Sequence, residues 1–411
     1  MKKLNNYKFC KLYEMSSGIS TKPAQAGHGY PFLSFSTIFN NYYIPNSLEE
    51  KMDTSEKERN MYSIKKGDIF LTRTSETLNE LAMSCVALKD YNNATYSGFA
   101  KRLRPLQTDI TYDKFMAFYL RSKYFRKIID NNAIMTLRAS FNENIFSYIN
   151  LLLPDYEHQK KIGDFLYNIS EIIIKNNNIN KNYFKFIDKS FQFYIANKTQ
   201  SDEKLVFSKE LNFEIPESWK AVKVGDICKI KSGYAFKTQN YVKEGVYRLL
   251  TIKNVQDNYV NMECDNYINE LDSTLPSYCK LDVGDILISL TGNVGRIGLV
   301  YDNNCLLNQR VGVLKLNNEK YLNYIYSLFQ SEWMKKKIEK ISTGTSQKNV
   351  SPLDIEDIYI PMPNDEILQK FIDNNLILKS ITKNEKESFI LKKYIDDILQ
   401  MCINGQITIK K

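Results

Sequence analysis

The chain repeats itself once along its length, and this repeat restricts the possible fold more than any other feature. The segments around Gly67 and Gly284 share a Gly-Asp-Ile motif that apolar residues and a threonine follow. Four further pairs keep the same order along the chain: Gly18 and Gly233, Tyr30 and Tyr247, Gln159 and Gln369, and Ile187 and Ile395. The second member follows the first by roughly 210 residues in every pair, as in a duplicated structural unit. We therefore predict two units of one architecture, near residues 1–205 and 206–411.

Each predicted unit has the same internal order of patterns. It begins with short alternating apolar runs between Gly, Asn, Asp and Pro, which is typical of strands. An amphipathic stretch follows, Tyr112–Asn131 in the first unit and Glu319–Ile341 in the second. We predict an α+β fold of two tandem pseudo-repeated units, each a mixed α/β domain followed by a long helix. The predicted boundaries are 1–153 for the first domain, 154–205 for the first helix and linker, 206–362 for the second domain and 363–411 for the second helix.

Helical periodicity begins after Pro154 and Pro363. In the first unit the apolar residues alternate spacings of four and three, which is a heptad seam. A helix from Glu157 to about Ala196 would be roughly 60 Å long, so we predict a rod, with ordinary core helices as the alternative. Both helices have a polar middle. The residues predicted to join the helices or to dock partners are Ile162, Leu166, Ile169, Ile173, Ile187, Leu391, Ile395 and Ile398.

Composition narrows the kind of protein. The 56 Lys and Arg exceed the 47 Asp and Glu, which gives a net charge of +9 that suits a polyanionic partner without requiring one. The seven cysteines lack the spacing of a zinc site, and there are only two histidines. The N-terminus leads into no apolar signal segment, and no apolar run has the length of a membrane span. We expect a cytoplasmic protein with reduced cysteines and no bound metal.

No catalytic motif is visible in the sequence. An adenine methyltransferase needs a glycine-rich cofactor turn and an Asn- or Asp-Pro-Pro-aromatic loop, and the chain has neither. It also lacks the glycine-rich loop with Lys and Ser or Thr that binds nucleotide phosphates. The run from Asp155 to His158 contains metal-ligating residue types, but it lies where a helix begins, so we interpret Asp155 as a helix cap. We therefore expect no catalytic site in this chain.

Several motifs of the second unit resemble those of a known family. They are Pro216–Trp219 leading into Val224–Ile227, the Ser232-Gly233 pair, Gly284–Gly295, Gly344–Val350, Ile358–Pro363, and Glu366 with Gln369. Together they make the chain similar, over nearly its whole length, to the specificity subunits of type I restriction-modification systems. The first unit departs from the pattern at Ser75–Thr77 and at Leu137–Asn142. Such departures fit two domains that recognise different DNA sequences.

The resemblance implies that DNA recognition and catalysis belong to different subunits. In this family two target recognition domains each read one half of a split, asymmetric DNA site. Two long helices, which the resemblance implies pair as an antiparallel coiled coil, set the gap between the halves. The same helices dock two modification subunits, which use S-adenosylmethionine to methylate adenine at N6. Restriction subunits, where present, supply the nuclease and the translocase that uses ATP and Mg. The specificity subunit binds none of these cofactors.

Arg reads guanine edges and Asn or Gln reads adenine edges, so loop residues of these types, with Lys for phosphates, are the natural candidates for DNA contacts. The candidates in the first domain are Arg73, Arg102, Arg104 and Arg138. The candidates in the second domain are Lys231, Lys237, Lys253, Arg296, Arg310, Gln347, Lys348 and Asn349. For each of them, a solvated surface residue is the alternative. For the whole chain, the alternative function is a non-catalytic scaffold that bridges protein partners through two β-rich domains and a coiled coil.

Overall fold

The structure, a computed structural model, describes residues 4–75, 80–132, 139–196, 203–344, 347–372, 375–403 and 406–407. The chain divides into two compact units. The first unit comprises Met1–Ile172 together with Leu391–Lys411, and the second comprises Ile173–Ile390.

The first unit is a mixed domain with the beginning of a long helix. Its strands are β1 (Asn5–Lys8), β2 (Tyr13–Ser17), β3 (Ala26–Leu33), β4 (Lys51–Met52), β5 (Ile69–Thr72), β6 (Thr74–Ser75), β7 (Ser84–Val86), β8 (Thr95–Tyr96), β9 (Ala100–Pro105), β10 (Ala139–Ser140) and β11 (Asn150–Leu153). Its helices are α1 (Phe9–Leu12), α2 (Phe35–Asn40), α3 (Glu56–Met61), α4 (Asp113–Tyr119), α5 (Lys123–Asn132) and α6 (Glu143–Tyr148). The long helix α7 (Tyr156–Phe191) begins here and continues into the second unit.

The second unit has a similar series of elements. Its strands are β12 (Leu205–Ser208), β13 (Phe213–Pro216), β14 (Lys220–Lys223), β15 (Cys228–Ser232), β16 (Tyr247–Leu250), β17 (Tyr267–Ile268), β18 (Lys280–Leu281), β19 (Ile286–Ser289), β20 (Ile297–Leu299), β21 (Cys305–Leu307), β22 (Val311–Leu316) and β23 (Tyr359–Met362). Its helices are α8 (Leu322–Gln330), α9 (Glu332–Ile341), α10 (Pro352–Glu356), α11 (Asp365–Ile372) and α12 (Asn375–Ile403), of which α12 ends in the first unit.

Sheet topology is repeated between the units. The four-stranded antiparallel sheet β2-β9-β5-β7 of the first unit corresponds to β15-β22-β19-β20 of the second. A second sheet is built around one parallel pair in each unit, β3 with β8 and β16 with β21. In the first domain the first and last strands also pair, β1 with β11, and in the second domain β14 pairs with the last strand, β23. The predicted α+β fold of two pseudo-repeated units is therefore confirmed.

The Gly-Asp-Ile motif forms the turn that leads into β5 in the first unit and into β19 in the second. Gly67 and Gly284 have φ values of 86° and 100°, which a residue with a side chain rarely adopts. The Asp68 carboxylate accepts a hydrogen bond from the Lys65 backbone N–H at 2.7 Å, and it also binds the Arg104 guanidinium through two bonds of 2.8 and 2.6 Å. The motif therefore combines a backbone turn with a charge that ties the turn to β9.

The second unit repeats this arrangement with a different cation. Asp285 accepts from the Asp282 backbone N–H at 2.9 Å and forms an ion pair of 2.6 Å with Lys315 on β22. Lys315 is therefore the counterpart of Arg104.

The amphipathic stretch before each long helix is two helices rather than one. In the first unit α4 ends at Tyr119 and α5 begins at Lys123, and in the second α8 and α9 meet at Ser331. The Ser331 hydroxyl accepts from the Met334 backbone N–H at 3.3 Å, and the Ser122 hydroxyl accepts in the same way from Phe125 at 3.2 Å. A serine cap within a continuous apolar pattern therefore starts a new helix.

The long helix α7 is held at its start by short-range and long-range contacts in the first unit. Asp155 caps it, because its carboxylate accepts from the His158 backbone N–H at 3.0 Å. The buried Gln159 amide donates to the carbonyls of Ile110 and Pro154 at 2.9 Å and accepts from the Tyr112 backbone N–H at 3.0 Å. The predicted helix near Glu157–Ala196 corresponds to 36 residues of α-helix, about 54 Å in length, followed by a π-helix at Gln192–Ala196.

The polar middles of the two long helices meet inside the second unit. Asn176 on α7 donates to Glu387 on α12 at 2.9 Å, and Asn180 donates to Glu385 at 2.9 Å and accepts from Asn384 at 2.9 Å. As the residue numbers rise on one helix they fall on the other, so the helices run antiparallel over this stretch. Asn176 and Asn180 are buried, and we call these five residues the polar layer.

Candidate nucleic-acid interface

Four segments of the first unit meet at one end of the sheet β2-β9-β5-β7. The Arg73 backbone N–H donates to the Phe99 carbonyl at 2.8 Å, and the Phe141 N–H donates to the Arg73 carbonyl at 2.8 Å. The Gly98 N–H donates to the Ile19 carbonyl at 2.8 Å. We call the surface formed by residues 16–19, 73–75, 97–101 and 140–141 the first sheet-end face.

The second unit builds the same surface from its own loops. The Leu290 N–H donates to the Arg310 carbonyl at 3.2 Å, and the Val350 N–H donates to the Leu290 carbonyl at 3.0 Å. The Gln309 N–H donates to the Tyr234 carbonyl at 3.0 Å. Residues 231–234, 290–292, 308–312 and 347–350 form the second sheet-end face, and its backbone pairs match those of the first one by one.

The Ser-Gly pair found in both halves of the sequence makes these faces possible. A Cβ atom on Gly18 would lie 2.2 Å from the Ser97 carbonyl oxygen, and one on Gly233 would lie 2.3 Å from that of Asn308. Neither distance is sterically allowed, so only glycine lets the two chain segments touch at this point. The motif therefore positions the loops of the face.

The structure divides the candidates of the first domain into three groups. Arg73 is exposed on the first sheet-end face. Arg102 is buried on β9 and donates to the Ser63 carbonyl at 2.8 Å, and Arg104 binds the fully buried Asp68, whose hydrogen bonds raise the pKa of the Arg104 guanidinium. These contacts hold Arg102 and Arg104 inside the domain, so we leave them out of the interface proposed below. Arg138 lies outside the described residues.

In the second domain the structure brings five candidates together. Lys231, Arg310, Gln347, Lys348 and Asn349 all lie on the second sheet-end face. Asn349 exchanges backbone hydrogen bonds of 2.8 Å with Thr343, and the Lys348 carbonyl accepts from the Gly292 N–H at 2.8 Å. The Lys348 ammonium forms an ion pair with Glu339, and that contact holds the pKa of the Glu339 carboxyl below its usual value.

The other three candidates of the second domain lie elsewhere. The Arg296 guanidinium donates to Gln256 at 3.1 Å and pairs with Asp257 at 3.5 Å. Lys253 pairs with Asp265 at 3.2 Å, with both side chains exposed, and Lys237 precedes a short 3-10 helix. The structure therefore does not place these three residues on the face.

Two residues of the first face were missed by the sequence analysis. Phe99 is 67% exposed, although an aromatic residue is usually expected in a core. The largely buried Lys101 donates to the Ser17 hydroxyl at 2.9 Å; burial lowers the pKa of its ammonium, and the nearby Arg73 guanidinium lowers it further. The available sequence signal was their position at the start of β9: Phe99 directly precedes the strand, and Lys101 lies in it, paired with Ser17.

The residues predicted for helix pairing or docking contribute mainly to the interiors of the units. Ile162, Leu166, Ile173, Ile187 and Ile395 are buried, and Ile169, Leu391 and Ile398 are partly buried. A different set on α7 and its π-helical extension is exposed, and its members are seven residues apart: Phe165, Ile172, Ile179, Phe186 and Phe193. A spacing of seven keeps side chains near one face of a helix. We call Ile179, Phe186 and Phe193, which belong to the second unit, the exposed stripe.

The described residues contain neither a metal-binding cluster nor a membrane-spanning helix. No cluster of three or more His, Cys, Asp or Glu side chains there has a geometry that could hold a metal ion. No helix in the described part of the chain combines the length and apolar character that crossing a membrane requires.

Two copies of one unit, each with a sheet-end face and each contributing a long helix, define a duplicated protein of the α+β class. Residues 8–201 and 216–403 each match the family model described as the type I restriction modification DNA specificity domain. The chain therefore belongs to the family of type I restriction-modification specificity subunits, with two recognition domains.

Individual relatives agree with this assignment. The MjaVIII specificity subunit of Methanocaldococcus jannaschii is 29% identical over 284 residues, which are 66% of this chain and 64% of the relative, somewhat under two thirds of its length. The MjaIX specificity subunit of the same organism is 25% identical over 400 residues, 94% of this chain and 88% of the relative. The S subunit of the type I system from M. genitalium has a similar fold, with a TM-score of 0.55 at 14% identity over 97% of this chain and 95% of that one.

Proposed function

We propose that this chain selects a split DNA site for a type I restriction-modification complex, with one half-site read by each sheet-end face. The observation that carries the proposal is one backbone framework that presents different exposed side chains in its two copies. The first face offers Arg73 and Phe99, and the second offers Lys231, Arg310 and Asn349. A shared framework with divergent side chains suits recognition of two different sequences.

Within this proposal the chain itself is not catalytic. Two modification subunits bind S-adenosylmethionine and methylate adenine in each half-site, and any restriction subunit brings its own ATP and Mg. The absence of cofactor and nucleotide motifs from the sequence supports this division. The isolated chain should then neither methylate nor cleave DNA with any added cofactor.

We further propose that the paired helices set the gap between half-sites and that the exposed stripe helps to dock a modification subunit. Large apolar side chains that form a regular, solvent-exposed row on a helix favour a protein partner. The polar layer supports a gap of fixed length, since buried polar pairs fix the register of paired helices.

Methylome sequencing tests the proposal directly. A host that expresses the chain with its modification subunit should carry N6-methyladenine in one split motif, with a gap of fixed length. A continuous motif, or no motif that depends on the chain, would overturn the proposal.

A salt titration separates DNA reading from the alternative, a protein scaffold. If cations of the faces neutralise phosphates, the logarithm of the DNA binding constant of the complex should fall steeply and linearly with the logarithm of the salt concentration. A complex whose DNA binding does not change when this chain is left out would favour the scaffold.

A further inference from the structure

Phe99 and Arg310 occupy equivalent positions in the two recognition domains. The Phe99 carbonyl accepts a hydrogen bond from the backbone N–H of Arg73, which follows β5. The Arg310 carbonyl accepts one from the N–H of Leu290, which follows β19. Each residue directly precedes a buried strand, β9 or β22. The duplicated backbone therefore presents one site twice, with an aromatic side chain in the first copy and a guanidinium in the second.

The backbone around Phe99 is fixed on both sides. The Phe99 N–H donates to the Ser97 hydroxyl at 3.2 Å, and the neighbouring Gly98 N–H donates to the Ile19 carbonyl. The turn thus holds the Phe99 ring in solvent, and the backbone of Phe99 is bonded to that of the exposed Arg73. A ligand that covers this place must offer an apolar group next to negative charge. Duplex DNA does so where a thymine methyl group lies beside the phosphates.

Arg310 has an exposed side chain, and no hydrogen bond or ion pair joins its guanidinium to the residues that the structure describes. The same face contributes Lys231 from β15, on the neighbouring strand, and Asn349 from the last segment. An unengaged guanidinium is suited to the two acceptors that guanine presents in the major groove, which arginine binds with two parallel hydrogen bonds.

We propose that Phe99 and Arg310 are the corresponding base-reading residues of the two domains. Phe99 selects an A·T pair in the first half-site through the thymine methyl group, and Arg310 selects a G·C pair in the second through guanine. This inference rests on the proposed function, since it requires that each face reads one half-site. It adds the position in each domain that contacts a base pair and the chemical group on the base that this residue recognises.

The test uses the complex of the full chain with its modification subunit, and its variants are Phe99→Ala, Arg310→Ala and Arg310→Lys. The methylated motif is determined for each complex, and binding is measured to duplexes that carry every single base-pair substitution of the wild-type site. Tyr148→Ala and Lys209→Ala serve as controls, because both side chains are exposed but lie outside the two faces.

Phe99→Ala should relax one A·T position in one half-site, and both Arg310 variants should relax one G·C position in the other. Discrimination at the Arg310 position should fall about ten- to a hundredfold. Arg310→Lys is decisive because it keeps the charge and loses the paired hydrogen bonds.

Three results would overturn the inference. The first is a motif unchanged in every variant. The second is relaxation of the same half-site by changes at both residues. The third is normal discrimination by Arg310→Lys with uniformly weaker binding by Arg310→Ala, which would make Arg310 a phosphate contact. A wild-type complex without a split motif would instead reject the proposed function itself.

Discussion

Asp68 shows how much of a recognisable motif is structural. Its carboxylate is fully buried and accepts hydrogen bonds from the Lys65 backbone N–H and from two nitrogens of the Arg104 guanidinium. About a third of the Arg104 side chain is exposed. Asp285 plays the same part with Lys315, but both of those side chains are more exposed than their counterparts. The two pairs are therefore an internal comparison of one interaction at two degrees of burial.

Asp68→Ala should destabilise the chain by about 2–3 kcal/mol, because it leaves a partly buried guanidinium without its charge partner. Asp285→Ala should cost about 1 kcal/mol, since Asp285 itself is partly exposed and its pair with Lys315 is already partly solvated. Urea denaturation followed by circular dichroism measures both. An equal or larger loss for Asp285→Ala would contradict this ranking of the two pairs.

At the level of single residues, the sequence predicted the framework better than the surface. The Gly-Asp-Ile and Ser-Gly motifs could be recognised because their backbone requirements admit few residue types. Arg73 and Arg104 are the same residue type near the same strands, yet one is exposed and the other is bound to a carboxylate 36 positions away. Which arginine finds such a partner depends on strand pairing, and a single sequence does not contain that pairing.

The long helices were predictable as elements because apolar periodicity extends through them. Their contacts were less predictable, since one helix has two apolar rows. The row with four-three spacing is mostly buried, and the row spaced by seven is exposed. A partner-facing row and a core-facing row have similar composition, so only burial distinguishes them.

Charge on the exposed stripe should block docking. Phe186→Glu, alone or with Ile179→Glu, should reduce copurification of the modification subunit at least tenfold, because a carboxylate would have to be desolvated in an apolar contact. Asn178→Glu is the matched control, as it makes the same change of charge at an exposed position next to Ile179. If all three changes reduced copurification equally, net charge rather than the stripe would be responsible.

Lengthening both helices tests whether they set the gap between the half-sites. Four residues inserted after Asn177 and four after Glu385 add one turn to each helix, about 6 Å, and leave every pair of the polar layer able to form. The gap in the methylated motif should grow by one or two base pairs at about 3.4 Å per pair, with both half-sites unchanged.

The single insertions are the controls for this experiment. Either one alone separates Asn176 from Asn180, or Glu387 from Glu385, by an extra turn, so the helices lose their matched polar contacts. These variants should be less stable and less active. A doubly lengthened, active complex that keeps the original gap would show that another element measures it.

At the scale of the whole molecule, duplication implies modularity. Replacing residues 1–150 with the corresponding domain of a relative should change one half of the methylated motif and leave the other half and the gap as they were. The physical reason is that each sheet-end face is built entirely from its own unit's loops. Methylome sequencing of the chimera gives the answer, and a change in both halves would refute independent reading.

The polar layer has a consequence for how such chains diversify. A hydrophobic seam tolerates many partners, but a buried asparagine facing a glutamate and a second asparagine excludes helices that lack the matching groups. When genes exchange halves, the new pair of helices must therefore agree at positions 176, 180, 384, 385 and 387. We therefore expect an exchange of halves between relatives to give a stable chain only where these five positions match.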